Sequence, residues 1–162
     1  MVVLAACLAG CAGYKLGPTN GWRAGVRSIQ VNPFQNQTYE PRLVEDLTRA
    51  LRSRLQQEGT YTLNTSGDGD VVVDGVIVEF ERDSIGYQPN DILTVRDYNL
   101  RVVTHITAKE RLTGRVLLDR EIIGRTTIRV GADLASAERQ AGPMLADDLA
   151  KKASSLLVDG TW

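Results

Sequence analysis

Apolar residues recur at helical spacing in two stretches of the chain. The first stretch begins after Pro41, a residue that suits the first turn of a helix, and ends at Gly59, a common helix stop. Its apolar stripe consists of Leu43, Val44, Leu47, Leu51 and Leu55. The second begins at a capping Asp133, and Pro143 is expected to kink or restart it. Its stripe consists of Leu134, Ala137, Ala141, Leu145, Leu149 and Leu156. The spacing predicts two amphipathic helices.

Apolar and polar residues alternate elsewhere, which predicts extended strands. Two short strands are expected, one from Arg27 to Phe34, followed by a polar loop over 35–38, and one around Tyr61 and Leu63. Long strands are expected at Val71–Arg82, Leu93–Lys109 and Val116–Arg129.

The turns between the long strands are predicted at Gly86–Asp91 and at Thr113-Gly114. Gly75 is expected to mark a bulge that switches the buried parity of its strand. On the next strand one face carries Leu100, Val102, Thr104, Ile106 and Ala108, which puts His105 on the opposite face.

This order of elements predicts an α+β fold with one domain over residues 11–162. Two amphipathic helices need a sheet face to cover. We therefore expect a two-layer sandwich, in which a twisted, mostly antiparallel sheet of about four long strands carries both helices on one face. The other sheet face is expected to be exposed.

Composition changes this picture little, but the charge distribution adds to it. The chain has 162 residues and a formal net charge of -1, which gives no argument for nucleic-acid binding. Between residues 96 and 129, however, basic residues outnumber acidic ones, and Lys109, Arg111 and Arg115 flank one predicted turn. Clustered cations can bind anionic phosphates by charge-assisted hydrogen bonds. The alternative is that they keep the sheet edge soluble.

Residues that usually carry catalysis are scarce. The only cysteines are Cys7 and Cys11, so the folded body has no thiol for a disulfide, a metal site or a nucleophile. His105 is the only histidine, and the pair Asp147-Asp148 falls on a predicted helix exterior, where a solvated position is expected. We therefore predict no catalytic residue, no metal site and no cofactor, and a protein that acts by binding.

The amino-terminal segment indicates a targeting signal. The apolar run from Val2 to Gly10 is too short to cross a hydrocarbon core of about 30 Å as a helix. Leu8-Ala9-Gly10-Cys11 is similar to the bacterial lipobox, which predicts a signal peptide over residues 1–10 and lipidation of Cys11. The basic residues expected at the start of a signal peptide are missing, which a start codon assigned too late would explain.

Two alternatives to this interpretation stay open. Cys7 also follows a lipobox-like sequence, although it would leave almost no hydrophobic segment ahead of it. The whole segment would otherwise be a buried strand with incidental cysteines.

If Cys11 is acylated, the lipid anchors the domain to a membrane, since each buried methylene contributes about 0.8 kcal/mol. Ala12 is not the aspartate that often retains lipoproteins in the inner membrane, which favours the outer membrane and its periplasmic side.

The residues from Cys11 to Gly17, CAGYKLG, resemble the start of the LptE family of lipopolysaccharide-assembly lipoproteins, which typically opens with cysteine, glycine, an aromatic residue and leucine. Ala12 is an insertion relative to that start. The resemblance continues in the order of the elements, to a closing helix that contains Asp147-Asp148-Leu149-Ala150.

The resemblance implies a partner and a ligand. Family members are expected to sit as a plug inside the β-barrel LptD, to assist insertion of lipopolysaccharide into the outer leaflet, and to bind that anionic glycolipid. On charge alone, Lys109, Arg111 and Arg115 would make the contact. The alternative is a lipoprotein that binds another envelope complex, such as a cell-wall synthase or a secretion system.

Overall fold

Six strands and two helices make up residues 27–131 and 133–159, which are the residues described by this computed structural model. The strands are β1 (Arg27–Val31), β2 (Gln35–Asn36), β3 (Tyr61–Leu63), β4 (Val71–Gln88), β5 (Asp91–Glu110) and β6 (Val116–Arg129). The helices are α1 (Arg42–Glu58) and α2 (Leu134–Asp159). The predicted α+β class, with helices over one side of an open sheet, is confirmed.

The strands form one mixed sheet in the order β3-β1-β4-β5-β6, and β2 also pairs with β4. The long strands β4, β5 and β6 pair antiparallel, as the sequence predicted. The short strands are parallel: β1 pairs with β3 and with β4, and β2 pairs with β4. Parallel pairing of β1 and β3 requires a crossover, which α1 provides.

The core lies between the helices and one sheet face. Helix α1 buries Leu43, Leu47, Leu51 and Leu55, and Val44 packs beside them, which confirms the predicted stripe. Helix α2 buries several small residues as well as leucines, and its close approach to α1 and β6 follows from them. These residues are Ala141, Leu145, Ala146, Leu149, Ala150, Ala153, Ser154 and Leu157.

The boundaries of the helices follow local signals. Gly59 ends α1 in the left-handed conformation, with φ of 68°. Asp133 caps α2, since its Oδ1 accepts a hydrogen bond of 2.7 Å from the backbone N–H of Ser136. Pro143 does not restart α2, which continues through it as one helix.

Strand β4 contains a bulge, but not where the sequence placed it. The register with β5 is continuous through Gly75 and shifts between Ile77 and Glu79, which leaves Val78 as the extra residue. The buried parity does switch there. The presence of glycine at position 75 has another reason. A Cβ atom there would lie 2.7 Å from the Phe34 ring, so the absence of a side chain leaves room for that ring.

Two loop predictions were wrong at their edges. Gln35 and Asn36, expected in a polar loop, form β2 because they pair with Val76 and Ile77 of β4. The expected turn over residues 86–91 is shorter, since β4 runs to Gln88 and β5 begins at Asp91. Both differences come from pairing partners that are distant in sequence.

None of the helices in the described ranges has the length and apolar character needed to cross a membrane. The predicted signal peptide and the lipidation residue Cys11 lie outside the described residues.

Candidate functional site

The loop between β5 and β6 carries the basic residues that the sequence singled out. The Gly114 N–H donates to the Glu110 carbonyl at 2.9 Å, and the Glu110 N–H donates to the Arg115 carbonyl at 2.9 Å. Gly114 has φ of 70°, a conformation that glycine adopts without strain. The predicted hairpin at Thr113-Gly114 is thus confirmed, and it presents Arg111 and Arg115 to solvent.

The Glu110 carboxylate contacts several side chains at this end of the sheet. Its Oε2 accepts a hydrogen bond of 2.5 Å from the Thr113 hydroxyl, and its Oε1 accepts one of 2.6 Å from Nη2 of Arg27. Arg115 Nε lies 3.8 Å from Oε2. The bond from Thr113, and then that from Arg27, hold the pKa of the carboxyl below its usual value, although partial burial raises it.

Asp70 ties the hairpin loop to the other strands. Its carbonyl accepts a hydrogen bond of 2.8 Å from the Arg111 N–H. Its carboxylate accepts bonds from the Ser28 backbone N–H at 2.9 Å and from the Ser28 hydroxyl at 2.8 Å, and these two bonds lower the pKa of Asp70. The loop is therefore fixed to β1 and β4 by hydrogen bonds.

The three predicted residues share one end of the sheet but not one face. Lys109 pairs with Val72 and Val116, on the sheet face away from the helices. The next residue, Glu110, points to the opposite face because side chains alternate along a strand. Lys109, Arg111 and Arg115 are all exposed, and Arg115 has 62% of its side chain accessible.

Arg27 is a member of this cluster that the sequence analysis missed. It stands 83 residues before Glu110, and only the register of β1 against β4 brings the two together. Together the four basic residues and the two acids Glu110 and Asp70 leave a formal charge of +2. The exposed side chains of Lys109, Arg111 and Arg115 can each bind anionic groups by charge-assisted hydrogen bonds, while Arg27 stays engaged with Glu110.

His105 lies on the sheet face away from the helices, as predicted. Its Nε2 is 2.7 Å from Oδ1 of Asp119 on the neighbouring strand. Within residues 27–131 and 133–159, no group of three or more His, Cys, Asp or Glu side chains could hold a metal ion.

A cavity of about 230 Å³ opens at the opposite end of the domain, between the first turns of α1 and α2 and the strands β4 and β5. Leu43, Phe80, Leu100 and Leu145 line its floor. At its mouth Arg82 pairs with Glu138 and lies 3.7 Å from Glu40 Oε1. The size suits one apolar side chain rather than a large ligand.

Solved structures with this fold come from several bacteria, all at low sequence identity. A protein from Xanthomonas campestris has a TM-score of 0.61 and 12% identity, and the match covers 89% of this chain and 92% of that chain. A minor lipoprotein from Acinetobacter baumannii has a TM-score of 0.54 and 13% identity, with 82% and 94% covered. The PelC dodecamer from Paraburkholderia phytofirmans has a TM-score of 0.52 and 15% identity, with 89% and 94% covered. At these identities the matches show the fold alone.

Comparison with curated proteins gives no match. The model of the family described as LptE, lipopolysaccharide-assembly, matches residues 26–159. This range covers both helices and every strand of the sheet. The chain therefore belongs to the LptE family of lipopolysaccharide-assembly proteins.

Proposed function

We propose that this member of the LptE family is a lipoprotein in which Cys11 is acylated after removal of residues 1–10. The lipid holds the domain on the periplasmic side of the outer membrane. Leu8-Ala9-Gly10-Cys11 supports this proposal, since small residues precede the thiol. A structural neighbour from Acinetobacter baumannii is itself a minor lipoprotein.

Mass spectrometry of the natural product tests the anchor. We expect an acylated amino-terminal Cys11. Cys11→Ser should abolish acylation and release the protein from membranes, whereas the matched Cys7→Ser should change neither. An unacylated natural product that keeps its leader would contradict the proposal.

The domain acts as a plug and assembly partner inside an LptD-like β-barrel and assists insertion of lipopolysaccharide into the outer leaflet. The family match over residues 26–159 is the observation that carries this proposal. The protein acts by binding, without catalysis.

The open sheet face supports a position inside a barrel. Arg101 Nη1 lies 2.8 Å from Glu79 Oε2 and 2.5 Å from Glu81 Oε2, and His105 pairs with Asp119. The interiors of outer-membrane barrels are polar. Pairing among these side chains reduces the unpaired charge that the face would carry into such a lumen.

Co-purification in mild detergent tests the partner. We expect a barrel protein to remain bound to the tagged chain, and we expect depletion of the chain to reduce lipopolysaccharide at the cell surface. Normal delivery of lipopolysaccharide after depletion would reject the proposal, even if some other envelope protein co-purified.

The hairpin cluster contacts the anionic groups of lipopolysaccharide. Replacement of Lys109, Arg111 and Arg115 together by alanine should weaken binding to purified lipopolysaccharide. The matched control replaces Arg42, Arg125 and Lys151, three exposed basic residues elsewhere, and removes the same charge. Equal binding by the two triple variants would exclude the hairpin as the contact.

A further inference from the structure

Strand β6 forms one edge of the sheet, since it is last in the strand order of residues 27–131 and 133–159. It has 14 residues. A long edge strand presents backbone N–H and C=O groups that can pair with a strand of another chain, which leads to unwanted association. An edge of this length therefore needs protection.

Two side chains of α2 occupy the middle of this edge. Asp148 Oδ2 accepts a hydrogen bond of 2.8 Å from the backbone N–H of Arg125, and Lys152 Nζ donates one of 2.8 Å to the carbonyl of Ile123. Residues two apart in a strand direct their backbone groups to the same side, so Ile123 and Arg125 are successive outward positions. Lys152 bonds the carbonyl at the first position and Asp148 bonds the N–H at the second, so a neighbouring strand could pair with neither group.

The two side chains also hold each other in place. Lys152 Nζ lies 2.7 Å from Asp148 Oδ2, one helical turn away. Partial burial raises the pKa of Asp148, but the hydrogen bonds from Lys152 and Arg125 outweigh it and keep the pKa below its usual value. The sequence pattern predicted a solvated position for Asp148, and the structure instead shows it bonded to the sheet edge.

The sequence of β6 would fit a second copy of itself. On the open sheet face its first half carries Asp119 and Glu121, and its second half carries Arg125 and Arg129. Two β6 strands paired antiparallel about Ile123 would place Glu121 of each copy opposite Arg125 of the other. Opposite charges in facing positions stabilise such pairs.

We propose that Asp148 and Lys152 are an edge guard that prevents β6 from pairing with β6 of a second copy. Their neighbours Asp147 and Lys151 have the same charges on the same helix and are exposed. They give a matched control, because replacing them changes the charge of α2 equally and leaves the edge covered.

The test compares D148A/K152A with D147A/K151A by sedimentation equilibrium. Both are made in the full chain with Cys7→Ser and Cys11→Ser, so that neither lipid nor a disulfide joins copies. We expect the guard variant to form a dimer with a dissociation constant at least about tenfold below that of the control, as one exposed pair of hydrogen bonds becomes available. A folded guard variant that sediments like the control would overturn the proposal.

Two further variants identify the surface. Adding Glu121→Arg to the guard variant should weaken the dimer, since it places like charges opposite each other, and an unchanged dimer would overturn pairing through β6. Asp148→Asn keeps an acceptor for the Arg125 N–H and should remain monomeric. If the double variant does not fold, Lys152→Ala alone exposes the Ile123 carbonyl and should shift the dissociation constant in the same direction; no shift would overturn the proposal.

Discussion

Arg27 and Glu110 form an ion pair with 2.6 Å between Nη2 and Oε1, although 83 residues separate them in sequence. The pair joins the first residue of β1 to the last residue of β5 across the intervening strand β4. It therefore connects the parallel part of the sheet to the antiparallel part, beside the basic hairpin loop.

This pair makes the free energy of unfolding depend on pH. The pKa of Glu110 is lower in the folded state than its ordinary value of 4.5, because Thr113 and Arg27 donate to the carboxylate. A lowered folded pKa contributes stability that is present above the unfolded pKa and is lost as the pH falls through the folded pKa. We expect Glu110→Gln to flatten the fall of the unfolding free energy below pH 4.5.

Chemical denaturation at a series of pH values measures this effect. Thr113→Ala keeps the carboxyl but removes its strongest donor, so it should flatten the curve partly. Identical acid slopes in the parent protein and in Glu110→Gln would contradict the assignment.

Thr104 and Thr48 form a contrasting pair of buried hydroxyls. Thr104 Oγ1 is buried without a hydrogen-bond partner among the described residues, whereas Thr48 Oγ1 accepts a bond of 3.1 Å from the Phe34 N–H. We expect Thr104→Val to be neutral or to stabilise by up to about 1 kcal/mol, and Thr48→Val to destabilise by about 1–3 kcal/mol because it leaves a buried N–H unpaired. Urea denaturation measures both, and equal costs would be the contrary result.

Gly75 accommodates the Phe34 ring, and replacement should show it. A Cβ at Gly75 would lie 2.7 Å from Cδ1 and Cε1 of that ring, so we expect Gly75→Ala to cost about 1–3 kcal/mol through overpacking. A Cβ added at Gly131 would meet nothing within 4 Å, and Gly131→Ala should change stability by less than about 0.5 kcal/mol. Thermal unfolding compares the two. Phe34→Leu should relieve part of the Gly75→Ala cost, and a purely additive double variant would argue against the clash.

Leu47 tests the packing between α1 and the sheet. It is fully buried, and Leu47→Ala should destabilise by about 2–5 kcal/mol through lost burial and the cavity left behind. Leu112, with 88% of its surface accessible on the hairpin loop, gives the matched control. Leu112→Ala should be close to neutral, and similar losses of stability in the two variants would show that Leu47 is not a core residue.

Local patterns sufficed to predict the helices and the long strands. The stripe of α1 and the run from Leu100 to Ala108 repeat at the period of their elements, so periodicity alone identified their buried faces. The capping role of Asp133 and the end of α1 at Gly59 could also be predicted, because a cap depends only on residues within one turn.

Features that depend on partners distant in the sequence could not be predicted from local patterns. Gln35 and Asn36 are polar and become a strand only because Val76 and Ile77 are available to pair with them. The hairpin charges were found, but Arg27 was not, since its contact with Glu110 depends on the strand register. Gly75 was expected to mark a bulge, and its contact with the Phe34 ring was missed because that ring lies 41 positions away in the sequence.

The extra residue in β4 switches which residues of the strand face the helices, up to the next register shift after Ser84. Before Val78 the odd-numbered residues face the helices, and from Phe80 to Ser84 the even-numbered ones do, so Phe80 lines the cavity and Glu79 lies on the opposite side. Val78→Ala would leave the bulge in place, whereas deleting Val78 would remove it and still leave Glu79 opposite Val103 and Phe80 opposite Val102, each on its present face.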